Sequence, residues 1–393
     1  MYFRMNDFDF NGKKVLVRVD MNVPMDDEGN ITNDKRIKQS VPTIKKLLAD
    51  GAKQIILMTH IGRPKEREKK LSTKNVAKYL SDILGEEIKF VEGWSTQDIE
   101  DKIVFLENLR FNPAEKSKDD EEKNAFGKQL AGLADYYVND AFSNSHRDHA
   151  SMYSVPQLIP GCASEQLEKE VSRIKTSIDN PERPMVSIIA GLKADKLNAV
   201  KNLINKADKI LVAGALAFTL LKAFGKEVGA SKIDDEGLKE FSGLVEEIKN
   251  SDKILLPVDA VVANRFEADA EAKIVSVDEI PKEWMALDIG PETIKLFNEE
   301  LSKAKTIVWN GPIGVFEFEK FAEGTKKIAE HIANLDAVKI VGGGDSAAAV
   351  AELGLEDKMT LVSTGGGASL KMIEGKELKA LKALEDSYRK FKN

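Results

Sequence analysis

Basic side chains recur where short apolar runs end. Arg18 stands at the end of Lys14–Val19, ahead of Asp20 and Asn22, and Arg36 follows in Asp34-Lys35-Arg36-Ile37. His60 and Arg63 come after Gln54–Thr59, and Arg110 after Lys102–Leu106. Arg147 comes after Tyr136–Val138 and the segment Asn139-Asp140-Ala141-Phe142. Guanidinium forks match the oxygen geometry of phosphate and carboxylate. Asp20 and Asn22 add acceptors for hydroxyl groups. Any one of these cations alone reads as a solvated surface group. Their convergence reads differently, because apolar strands supply no counter-charge and a ligandless cluster would be destabilising. A small, highly anionic, hydroxylated substrate suits the set. His146 and His149 have the H-x-x-H spacing of a metal site, but no carboxylate or cysteine lies close by with ligand spacing, so they are read as structural.

The second half carries glycines at the same places. Gly342-Gly343-Gly344-Asp345-Ser346 follows Val338–Val341 and opens a helical pattern. Ser363-Thr364-Gly365-Gly366-Gly367-Ala368-Ser369 follows Met359–Val362. A strand, then glycines, then a helix N-terminus points free N–H groups at an anion. Asp345 would repel a phosphate there unless Mg2+ lay between them, which makes it the metal-ligand candidate. Asn310, Pro312 and Glu317 follow the run Lys305–Trp309, and Glu317 could accept from ribose hydroxyls. Gly214 and Gly290 end two further segments, and Lys193 and Lys196 follow Met185–Ile189. The two lysines read equally as contacts to a transferring phosphoryl or as a solvated pair. There is no G-x-x-x-x-G-K-[ST] and no G-x-G-x-x-G after the first strand of either half. A P-loop enzyme and a dinucleotide dehydrogenase are therefore disfavoured.

The elements that must position these residues alternate between short β-branched runs and amphipathic helical patterns such as Ile37–Ala49, Lys74–Leu84 and Pro291–Ala304. Ser72 is the expected cap of the second. Repeated βα units predict an α/β chain: two doubly wound, parallel-sheet, Rossmann-like domains, with ligands at the carboxyl ends of the strands. The helical pattern Glu165–Ile178, broken at Pro181 and Pro184, is the expected hinge helix. The expected division is 1–168, 169–375 and a tail, 376–393.

The bulk properties fit. At 393 residues the chain exceeds what one hydrophobic core usually spans. A net charge of −7 argues against a general nucleic-acid binder. The single cysteine, Cys162, allows no intrachain disulfide. No stretch has the length and apolarity to span a membrane, and the start does not resemble a signal peptide. A cytoplasmic monomer is expected.

Taken in order, these motifs resemble the phosphoglycerate kinase family. The match runs through Val17-Arg18-Val19-Asp20-Met21-Asn22-Val23-Pro24, His60-Ile61-Gly62-Arg63-Pro64, Glu107-Asn108-Leu109-Arg110-Phe111 and Trp309-Asn310-Gly311-Pro312, then both glycine triplets, over nearly the whole chain. The resemblance implies Mg2+-dependent phosphoryl transfer between 1,3-bisphosphoglycerate and ADP, giving 3-phosphoglycerate and ATP. Asp20, Asn22, Arg36, His60, Arg63, Arg110 and Arg147 would hold the glycerate. Gly214, Gly290, Asn310, Pro312, Glu317, Gly343, Gly344, Asp345, Ser346 and Lys196 would hold the nucleotide. Arg36, Lys193, Lys196 and the amides of Gly343 and Gly367 would serve the transfer itself. Three departures stand out. The family's lysine segment reads G-G-A-K-V-x-D-K, whereas Lys193 and Lys196 are three apart. Ser346 stands where the family has threonine, and Ala213-Gly214-Ala215 where it often has three glycines. A different small-molecule kinase and a catalytically silent nucleotide binder remain the alternatives.

Overall fold

The computed structural model describes residues 1–26, 28–192, 196–240, 242–363 and 365–392. It divides into two units, Met1–Val171 with Glu377–Asn393, and Ser172–Lys376.

The first unit is built on β1 (Phe3–Arg4), β2 (Lys14–Val19), β3 (Gln54–Met58), β4 (Lys89–Val91), β5 (Ile103–Leu106), β6 (Tyr136–Asp140) and β7 (Gly161–Ala163). They form one sheet in the order β1-β7-β6-β2-β3-β5-β4, and every pairing is parallel. A parallel sheet is covered on both faces, so its strands are continuous apolar runs. All of β3 and β5 is buried. The chain steps outward from β2 through β3, then returns to β2's other side with β6. That reversal places a crevice at the carboxyl ends of β2 and β6.

The second unit contains β8 (Met185–Ala190), β9 (Lys209–Ala213), β10 (Ile254–Leu255), β11 (Asp259–Ala263), β12 (Ala272–Ser276), β13 (Met285–Ile289), β14 (Thr306–Asn310), β15 (Val338–Gly342) and β16 (Leu361–Ser363). Six of these make a second parallel sheet, β10-β9-β8-β14-β15-β16, whose reversal lies between β8 and β14. Trp309, fully buried in β14, anchors the core beneath it.

One feature departs from the expected alternation. β12, β11 and β13 form a separate antiparallel sheet. Antiparallel pairs can leave one face to water, and Ile274 of β12 is indeed exposed. The expected helix Ile37–Ala49 begins two residues earlier, as Lys35–Ala49. Lys74–Leu84 appears with its expected bounds, but Thr73 is its N-cap, while the Ser72 hydroxyl accepts the Lys74 N–H at 3.2 Å.

The C-terminal helix Lys379–Phe391 packs on the first unit. Ala380 meets Ala141 and Met152, the Gly161 N–H donates to Ser387 Oγ at 2.9 Å, and Tyr388 meets Phe3 edge-on with ring centres 4.7 Å apart.

Candidate functional site

In the first unit the β2–β6 crevice gathers most of the expected ligands. Asp20 leaves β2 and lies 3.1 Å from Arg36 Nη1, which also donates to the Asn22 carbonyl at 3.3 Å. Ser143 donates a very short hydrogen bond to Asp20 Oδ2, the same oxygen that faces Arg36; the sequence carried no signal for it. Asn22 Oδ1 accepts the Gly62 N–H at 2.8 Å, and the Gly62 carbonyl accepts from Arg110 Nη1. Glycine 62 thus ties the loops after β2, β3 and β5 together.

The cations crowd one another. Burial, with Arg147, Arg18 and Arg63 close by, lowers Arg110 to about 10. Burial and Arg63 likewise lower Arg147. The Nε atoms of Arg110 and Arg147 are buried with no hydrogen-bond partner among the described residues. Charges held together at such a cost mark a place where an anion belongs. His60 is driven well below the usual histidine range by burial, then by Arg18, Arg110, His149 and Arg36.

Arg18 itself is not presented to a ligand. It is fully buried, and its guanidinium is spent on Ser151 Oγ (3.1 Å), the Val19 carbonyl and His60 Nδ1 (3.1 Å). The residue lies within a central strand whose sheet is covered on both faces, so its side chain is buried against the sheet rather than held at its carboxyl edge. His149 has a carboxylate close in space: its Nδ1 lies 3.6 Å from Glu115, which is wholly buried.

In the second unit, Gly214, Pro312 and Glu317 line a largely apolar cavity of about 540 Å3. Phe218, Phe266 and Leu287 form its walls, and Lys232 and Asp288 add charge. Lys232 and Phe266 carried no sequence signal; the signal for Asp288 is a lone acid inside an apolar strand. The cavity's size suits a nucleoside.

Next to it, the β8–β14 switch point holds Lys196. Its ammonium donates to Asn310 Oδ1 at 3.0 Å and, through a very short bond, to the Ala190 carbonyl. Gly311 allows this approach, with φ of +93°. Lys193 lies outside the described residues.

Gly343 precedes the helix Gly344–Glu352, and Asp345 is exposed in its first turn. Ser346 is turned away from solvent: its hydroxyl donates to the Gly342 carbonyl at 2.6 Å and accepts the Gly311 N–H at 3.2 Å, stitching the two glycine loops. Gly367 begins the short helix Gly367–Ile373. Gly290 stands outside the cavity. It leads into the helix Pro291–Leu301, whose first N–H groups already donate to the Asp259 carboxylate, at 3.0 Å from Glu292 and 2.8 Å from Thr293.

The chain as a whole resembles known proteins. The family model "Phosphoglycerate kinase" matches residues 5–376. The chain belongs to the phosphoglycerate kinase family. The phosphoglycerate kinase of Dictyoglomus turgidum is 48% identical over 397 residues, covering 97% of this chain and 98% of the relative. That of Thermosipho africanus is 46% identical, with 97% of each chain covered. The solved phosphoglycerate kinase from Coxiella burnetii superposes with a TM-score of 0.86 at 37% identity, covering 98% of this chain and 99% of the other. The one from Pyrococcus horikoshii gives 0.84 at 34% identity, covering 99% and 100%. As a phosphoglycerate kinase family member the chain is a phosphotransferase, a kinase that uses a nucleotide. Among the described residues, no helix is long and apolar enough to cross a membrane.

Proposed function

We propose that the chain catalyses reversible phosphoryl transfer between 1,3-bisphosphoglycerate and ADP, giving 3-phosphoglycerate and ATP. The observation that carries this reading is the cluster of Arg36, Arg63, Arg110, Arg147 and His60 at one switch point. A glycerate bearing both carboxylate and phosphate neutralises such a cluster; an uncharged sugar does not.

Asp20 and Asn22 orient the hydroxyl-bearing carbons. The nucleoside occupies the cavity beside Gly214, Pro312 and Glu317, and its phosphates run toward Lys196 and the Gly343–Gly344 amides. In the ATP-consuming direction, a carboxylate oxygen of 3-phosphoglycerate attacks the γ-phosphorus. The bond from that phosphorus to the β-phosphate oxygen breaks, and ADP leaves. A carboxylate is nucleophilic at neutral pH, so no general base is needed. Arg36 and Lys196 hold the equatorial oxygens as charge shifts between the attacking and leaving groups.

Mg2+ fits this arrangement. No group of three or more metal-ligating side chains exists among the described residues, and Mg2+ is commonly held by a single carboxylate together with substrate phosphates. Asp345 would be that carboxylate, and the bound ion would neutralise charge on the phosphate oxygens. In-line transfer requires the two ligands to meet, so the reaction includes closure about the helix Glu165–Asp179, which expels water. The chain works as a cytoplasmic monomer.

The reading is tested by acceptor choice. With MgATP, 3-phosphoglycerate should yield an acyl phosphate that hydroxylamine traps, and unphosphorylated glycerate should yield roughly 100-fold less, since losing the phosphate leaves the arginines unpaired. Equal use of both acceptors would indicate a different small-molecule kinase.

A further inference from the structure

The buried groups behind the substrate crevice form a continuous hydrogen-bonded chain. Glu115 accepts from Ser151 twice, from its N–H at 3.0 Å and from its hydroxyl at 2.7 Å. The Ser151 oxygen in turn accepts Arg18 Nε–H at 3.1 Å, and Arg18 Nη2 reaches His60 Nδ1 at 3.1 Å. Glu115, Ser151 and Arg18 are fully buried, and His60 is 4% exposed.

The chemistry of the donors fixes the direction of every bond. A guanidinium has only N–H donors, so His60 Nδ1 must be the acceptor. The imidazole is then neutral and carries its proton on Nε2. Among the described residues none accepts from Nε2. The hydroxyl of Ser151 gives its single proton to Glu115, so its lone pair is left for Arg18. The direction is set by Glu115 being an ionised acceptor. Without that charge the serine proton could turn toward other acceptors, and Arg18 would lose the anchor that aims it.

We propose that Glu115 is a positioning residue: through Ser151 and Arg18 it holds His60 as the neutral Nε2–H tautomer, a hydrogen-bond donor to the bound phosphoglycerate. The proposal rests on the substrate reading given above. His60 therefore acts as neither cation nor proton acceptor, and the positive charge of the crevice comes from arginine alone. The groups facing His60 agree in sense. Burial, Arg18, Arg110, His149 and Arg36 all oppose its protonation. Glu115 is itself held below the usual carboxylate range: burial pushes it up, but His149, Arg18 and the Ser151 hydroxyl together outweigh that.

Two measurements test this. The first is nitrogen NMR of the ligand-free parent chain, which depends on no activity. His60 should keep Nε2 protonated and Nδ1 bare between about pH 5 and about pH 8. Protonation of Nδ1, or titration within that window, overturns the proposal.

The second is steady-state kinetics of Glu115→Gln. The KM for 3-phosphoglycerate should rise about tenfold while that for MgATP stays within about twofold, since only the donor to the glycerate is disturbed. Should Glu115→Gln not fold, Ser151→Ala cuts the same chain and Ser151→Thr restores the hydroxyl; the KM should rise in the first and recover in the second. An unchanged 3-phosphoglycerate KM, or an equal rise in both KM values, overturns the proposal. If the parent chain ignores 3-phosphoglycerate altogether, the substrate reading fails instead, and the NMR result still decides the tautomer.

Discussion

Gly311 is where a single methyl group would test the nucleotide end of the site. Its φ of +93° lies in the left-handed region, where an L-residue costs roughly 1–2 kcal/mol. A Cβ there would also overlap the Ala190 carbonyl oxygen and Lys196 Nζ. Restoring ordinary contact needs a retreat of at least about 1 Å, and the carbonyl belongs to a buried central strand that has little room to move. Lys196 must give way and lose its alignment with Asn310. Overpacking adds about 1–3 kcal/mol, so Gly311→Ala should destabilise by roughly 2–5 kcal/mol in denaturant unfolding. A displacement of about 1 Å at a positioned phosphoryl contact costs on the order of 100-fold in turnover. The assay is kcat for phosphoryl transfer in the folded variant, below its unfolding range. Gly343→Ala is the control. Its φ is +101°, but its added Cβ meets only side-chain atoms, the Ser346 hydroxyl at 3.1 Å and the Asn310 amide nitrogen at 3.4 Å, which is ordinary contact. It should carry the backbone strain with less than about a tenfold loss of turnover. Turnover of Gly311→Ala within about threefold of the parent would refute the placement of Lys196.

Three further outcomes follow from the same geometry. Arg36→Ala should cut kcat about 100-fold or more and leave the Kd for MgATP within about twofold, because its contacts lie in the substrate crevice; equal losses in both, by kinetics and nucleotide titration, would remove it from the transfer step. Asp288 is raised from 3.8 to about 7, mainly by burial. The folded state thus binds the proton more tightly than the unfolded chain, and this residue lowers stability as pH rises from about 4 to about 7. Asp288→Asn should therefore gain stability relative to the parent across that window, by on the order of 4 kcal/mol; a parent–variant difference that does not change with pH would show that the carboxyl does not titrate there. Leu384→Ala, at a fully buried position of the C-terminal helix, should destabilise the first unit by about 2–5 kcal/mol in denaturant unfolding, and a change below about 0.5 kcal/mol would mean the helix is not docked.

The parallel sheets were legible because buried strands are continuous apolar runs, and β2, β3 and β14 stand out from the helical patterns around them. The residues after those strands were legible for the same reason, since the carboxyl ends of a parallel sheet converge. The antiparallel sheet was not. β12 has no fully buried residue and β13 carries the acid Asp288 within it, so neither reads as a buried apolar run. Arg18 shows the limit of reading charges along a chain. Its type and position match those of its neighbours, but whether a guanidinium faces a ligand or a buried serine depends on Glu115 and Ser151, distant in sequence. Asp259 makes the same point at Gly290: a helix start looks open to an anion until a carboxylate from another strand fills it.

The most direct measurement is 3-phosphoglycerate-dependent formation of ADP from MgATP, in the parent chain and in Lys196→Ala and Lys193→Ala. The account predicts robust turnover in the parent, a large loss in Lys196→Ala and a smaller one in Lys193→Ala. No 3-phosphoglycerate-dependent ADP from the parent chain would contradict it.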